Sequence, residues 1–188
     1  MKTLKWIGGI LVALVLLFYF VGVPILREQT KKNSPEKMAH YEQDGLTLSV
    51  TFSSPSKKGR TIFGRLVPYG KVWRTGANEP TRFYTSTNLS VGGANLPAGT
   101  YSLWTVPGET QWTVIFNREV ADWGVTLISG GKETTRNPES DVIQINVSPE
   151  SMAEIVENFD ISFVSADSDG ALFLQFAWDT TRVRVPLN

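Results

Sequence analysis

Leu46-Thr47-Leu48-Ser49-Val50-Thr51-Phe52 alternates apolar with hydroxyl side chains, the period-two pattern of a strand with one buried face. Working outward toward the C-terminus, comparable runs recur at 82–87, 100–106, 111–117, 141–147, 160–164, 171–178 and 182–187. Turn clusters separate them: Gly92-Gly93-Ala94-Asn95, Pro97-Ala98-Gly99, Pro107-Gly108-Glu109 and Asp167-Ser168-Asp169-Gly170. Short strands with frequent turns predict a mainly β fold, an antiparallel β-sandwich of jelly-roll-like or Greek-key connectivity, over residues 46–188. One short helix is expected at Ser148–Ile155, with Ser148 as its cap and Pro149 at its first position.

Outward in the other direction, residues 27–45 read REQTKKNSPEKMAHYEQDG, without an apolar period, and are expected to be a polar linker. Before it, Trp6 to Leu26 are 21 consecutive uncharged and mostly apolar residues, with Lys2 and Lys5 on one side and Arg27, Lys31 and Lys32 on the other. At about 1.5 Å per residue the run reaches roughly 30 Å, a bilayer's hydrocarbon thickness. Residues 1–26 therefore read as an N-terminal transmembrane helix, with residues 6–26 crossing the membrane. A cleaved signal peptide is the rival reading; Phe20, Val21 and Gly22 followed by Pro24 do not make a small-x-small cleavage site. Positive charge flanks both ends, so charge does not orient the span. A single anchor followed by strands and turns predicts a single-pass protein with its domain outside the cytoplasm, periplasmic or at the cell surface.

Hydrophobic residues at 41% and aromatics at 11% are enough for a packed core. Eighteen basic and eighteen acidic residues cancel, so no net charge draws the chain to nucleic acid. The absence of cysteine excludes disulfides, a thiol nucleophile and zinc thiolate sites. His40 is the only histidine, which excludes paired-histidine metal motifs and argues against a Ser-His-Asp triad. No cofactor and no metal site is expected.

Charge is nevertheless unevenly distributed. Residues 57–82 carry Lys57, Lys58, Arg60, Arg65, Lys71, Arg74 and Arg82 against Glu79 alone, interleaved with Phe63, Tyr69 and Trp73, whereas residues 133–169 hold nine acids against Arg136. The basic segment has the composition of a recognition surface. Its run Gly64 to Lys71 is not a phosphate-binding loop: five residues separate the glycines and Val72 stands where a hydroxyl should hold magnesium. Asp167-Ser168-Asp169-Gly170 lacks the closing glutamate of a calcium loop and is expected as a hairpin turn.

The densest polar cluster is Trp73-Arg74-Thr75-Gly76-Ala77-Asn78-Glu79. Arg60, Lys71 and Arg74 are candidate contacts for an anion, Trp73 a stacking platform for a sugar ring, and Asn78 and Glu79 polar partners. An anionic or carbohydrate ligand is the predicted partner. Two other readings stay open: Glu79 as acid or base in a hydrolase of a cell-envelope substrate, and a structural Arg74 to Glu79 ion pair that holds the loop down. No catalytic residue is assigned.

LVPYGKVWRTGANE from Leu66 to Glu79, LPAGTYSLWTVPG from Leu96 to Gly108, WTVIFN from Trp112 to Asn117, and Trp123-Gly124 resemble the family called domain of unknown function 2911. The likeness covers roughly Leu46 to Asn188. It implies a bacterial, mainly β domain, often behind an export signal or membrane anchor, and carries over no activity and no catalytic residues.

Overall fold

The computed structural model describes residues 2–126, 129–131, 133–166 and 171–188; the expected turn at Asp167–Gly170 lies outside them. Two compact units divide at Asn33 and Ser34. In the first, helix α1 spans Lys2–Leu17, a π-helical turn spans Phe18–Gly22, and α2 spans Val23–Asn33. Pro24 brings no amide to the ladder, and the adjustment is visible one residue before it, where the Val23 N–H donates to Phe18 O. From Trp6 to Asn33 the helix is 28 residues long, with a mean hydropathy of 2.7 in its apolar part. It is long and apolar enough to cross a membrane, which marks the chain for secretion or anchoring.

The second unit is mainly β. Its strands are β1 (Glu36–Gln43), β2 (Leu46–Ser53), β3 (Thr81–Thr85), β4 (Leu89–Val91), β5 (Ala94–Leu96), β6 (Gly99–Val106), β7 (Trp112–Asn117), β8 (Asp141–Val147), β9 (Glu150–Ser165) and β10 (Leu172–Leu187). They form two antiparallel sheets, one ordered β1-β2-β3-β6-β7-β8 and the other β5-β4-β10-β9. The alternation that opens the sequence is realised in β2, where Leu48, Val50 and Phe52 are buried. Facing them across one core are Leu174, Phe176, Val183 and Val185 of β10.

Three expectations change. Residues 36–43, read as part of a polar linker, form β1 and pair with β2 along its full length. Asp44 and Gly45 both have positive φ, 52° and 81°, which is the two-residue hairpin turn that Asp-Gly favours; β1 is an edge strand with a mostly exposed surface, so no apolar alternation advertised it. The helix expected at Ser148–Ile155 is absent: Glu150 already belongs to β9. Pairing with β10 steps from Ala177↔Asp160 to Asp179↔Val156 to Thr181↔Ser151, so β9 accommodates extra residues in bulges, and these give Met152, Ile155 and Val156 an apparent helical spacing. Finally, the runs at 171–178 and 182–187 are one strand, interrupted at Asp179, whose φ is 57°.

The second sheet also captures residues 54–58. Ser54 Oγ donates to Phe159 O at 2.6 Å, the Lys57 amide to Glu157 O at 2.7 Å, and Lys57 Nζ to Asp179 Oδ1 at 2.6 Å. This end of the basic segment is thereby tied down by its own cation.

Candidate functional site

Beyond residue 60 the segment turns back onto the six-stranded sheet. β3 pairs with β6 only as far as Thr81↔Leu103; past that point Trp73 takes the vacant position, donating its amide to Thr105 O at 2.7 Å and accepting the Thr105 amide at 2.9 Å. The next turns are tight, with Thr75 at φ 55°, Gly76 at 150° and Asn78 at 57°. Gly76 is required here, because a Cβ would meet Ser53 O at 2.8 Å. Side chains fix the rest: Trp73 Nε1 donates to Gly76 O at 2.9 Å, Thr81 Oγ1 to Thr75 O at 2.6 Å, and Asn78 Nδ2 to Ser34 O and Ser53 Oγ, both at 3.3 Å. The loop is preorganised.

Trp73, expected as an open stacking platform, is 9% exposed. Its ring stacks at 16° on Trp178 with centroids 6.1 Å apart and meets Phe159 edge-on at 5.0 Å. Trp73 is in a strand-like bridge, so the following side chain, Arg74, points away from that aromatic cluster. It runs against the connection between β7 and β8. Gly124 makes the close approach feasible: a Cβ there would come within 2.3 Å of Arg74 Cδ and 2.9 Å of Asn78 O, and the Gly124 amide donates to Asn78 O at 3.0 Å.

That connection is anchored at its base. Asn117 Nδ2 donates to Asp141 Oδ1 at 2.8 Å and to Asn137 O at 2.6 Å. Arg136 grips the same carboxylate with Nε, at 2.9 Å to Oδ1, and with Nη2 to Oδ2. Burial pushes the Asp141 pKa up, but the Arg136 and Asn117 hydrogen bonds and the Arg136 charge outweigh it and hold the carboxyl below its ordinary value. Higher up, a bridge between Val125 and Thr134 and a hydrogen bond from the Thr126 amide to Glu133 O at 2.9 Å present a second wall.

Between the two walls is a pocket of about 800 Å³. Leu66, Val67, Pro68, Val72 and Trp73 form one side and Val125 and Thr134 the other; Lys71, Arg74 and Glu133 are its charged groups. Arg74 is half-buried, and its Nε is sealed from solvent with no hydrogen-bond partner. Among the described residues no carboxylate pairs with Arg74 or Lys71. Burial pushes the Arg74 pKa down, yet a guanidinium does not lose its proton in a protein. A charge held this way attracts an anion from the open side.

Of the residues singled out in the sequence, the pocket brings together Lys71, Trp73 and Arg74. Arg60 is exposed and spends its guanidinium on its own loop, with Nε 2.9 Å from Lys57 O and Nη2 on Ser56 O. Asn78 is a buried loop anchor. Glu79 is half-buried and has a partner of its own; among the described lining residues of the pocket it is absent, and no ion pair with Arg74 is found among the described residues. Val125, Glu133 and Thr134 were not anticipated. The one signal near them was Trp123-Gly124, whose glycine packs on the Arg74 stem.

A family model described as "Protein of unknown function (DUF2911)" matches residues 34–187. It begins at the start of the β unit, two residues before β1. No curated protein and no solved structure matches the chain.

Proposed function

The chain belongs to the DUF2911 family, and from that premise we propose that its β domain is an extracytoplasmic binding module for an anionic ligand, displayed by an uncleaved N-terminal anchor. The observation that carries the reading is Arg74, a half-buried guanidinium in the wall of a pocket, given no counter-charge among the described residues. Holding a desolvated cation without a partner costs stability, and a ligand anion compensates that cost. Lys71 adds a second, more mobile cation at the same pocket. The two cations and the apolar wall support an anion over a sugar, since the aromatic faces a sugar would use are inside the core.

The anchor reading is supported by length. The uncharged, mostly apolar run from Trp6 to Leu26 is 21 residues, against roughly 7 to 15 apolar residues in the central region of a cleaved signal.

The test is thermal. Carboxylates, phosphate and sulfate are titrated against the full chain in lipid nanodiscs while its melting temperature is followed. At least one anion is expected to raise it with increasing concentration, as a ligand that binds only the folded state must, and Arg74→Met is expected to remove the response. A wild type indifferent to every anion, or an Arg74→Met chain that still responds, ends the proposal.

A further inference from the structure

Resting on the anion reading of this pocket, we infer that its ligand is an organic monocarboxylate with an apolar body, rather than an inorganic ion or a polyanion. Size is the first observation. A space of about 800 Å³ falls in the range of small-molecule sites, roughly 300 to 1,000 Å³, and is far larger than sulfate or phosphate needs. Chemistry of the wall is the second. Leu66, Val67, Pro68, Val72 and Val125 border it; an inorganic ion on the cations would leave that apolar surface uncovered, whereas a hydrocarbon portion gains by covering it.

Charge is the third observation. Among the described residues Lys71, Arg74 and Glu133 are the ionisable groups of the lining, so an acid group on the ligand finds two cations there. The Nε of Arg74 is closed off, so an acid group meets the remainder of the guanidinium, where its planar fork matches a carboxylate. Glu133 opposes a second negative group on the ligand. The specificity this predicts is apolar-tailed acid over both its neutral isostere and a bare anion.

Three probes of matched design decide it: phenylpropanoate, its neutral amide phenylpropanamide, and inorganic phosphate. Each is titrated calorimetrically into the full chain in lipid nanodiscs, with Arg74→Met as the baseline for partition into the bilayer. The acid is expected to bind roughly tenfold or more tightly than the amide and than phosphate, about 1.4 kcal/mol or more in each comparison, and to lose that margin over the amide in Arg74→Met. If phosphate equals or exceeds the acid, the inference is wrong and the anion site stands. If the amide binds as well as the acid, or no probe shows binding above the Arg74→Met baseline, both the inference and the anion reading fall.

Discussion

Arg136 and Arg74 are both drawn out of water beside the connection between β7 and β8, and the chain provides for them in opposite ways. Arg136 is paired at 10% side-chain exposure with an Asp141 carboxylate at 9%, which is also held by Asn117 and Gln144. Among the described residues Arg74 has neither a carboxylate nor a partner for its Nε. Burial alone therefore does not identify a structural cation; the counter-charge does. Where the chain provides one, the arginine fastens a connection. Lys57, paired with Asp179 at 18% and 19% exposure, belongs with Arg136, although it shares a segment with Arg74.

The comparison breaks most visibly at Arg136. Arg136→Ala leaves Asp141 buried without its cation and is expected to cost about 3 to 5 kcal/mol, read as a lowered urea midpoint; a loss below about 1 kcal/mol would place Arg136 among ordinary surface pairs. Acid should sharpen the contrast by a smaller amount. Asp141 and Glu150 are both held below their ordinary values: burial pushes each up, and hydrogen bonds, from Arg136 and Asn117 to Asp141 and from Arg184 and Arg182 to Glu150, outweigh it. A depressed carboxyl contributes stability that is present above its unfolded pKa and lost as pH falls through its folded one.

Asp160, raised by burial against the Lys37 charge, works in the opposite sense, its contribution fading as pH rises through its folded pKa. The gap in urea midpoint between wild type and Arg136→Ala should accordingly narrow as pH is taken from about 5 to about 3, and a gap that stays constant would detach Arg136 from Asp141. The smallest effect is expected at Arg74. Arg74→Met keeps an unbranched stem against Gly124 and removes an uncompensated charge, so stability should stay level or rise by up to about 1 kcal/mol. A clear loss in the ligand-free chain would make Arg74 a structural residue after all.

Much of the sheet structure was legible because its strands have one wet and one dry face. Leu48, Val50 and Phe52 announced β2, and Trp112, Val114 and Phe116 announced β7. β1 escaped because an edge strand such as EKMAHYEQ has little to bury; only its Asp44-Gly45 turn spoke for it. β9 misled because bulges convert a period of two into something closer to four. For the pocket, the sequence located the cations but not their allegiance. Lys57, Arg60, Lys71 and Arg74 are alike in one dimension, and what separates them is contact with Asp179, with loop carbonyls, or with no carboxylate among the described residues. The second wall, Val125 to Thr134, lies some fifty residues beyond Arg74 and carries no motif.

The pairing of Leu187 with Val91, reinforced by reciprocal hydrogen bonds between Ser90 and Asn188 at 2.7 and 2.8 Å, bears on how the chain comes into being. The β4–β5 hairpin has no neighbour in its sheet except β10. During synthesis, β4 and β5 stay without their sheet neighbour for as long as it takes the chain to progress from Val91 to Leu187. A contact so distant in sequence closes late and slowly, and until it closes the hairpin is an exposed, adhesive edge. The sheet of β5, β4, β10 and β9 is thus one that closes only once β10 is in place.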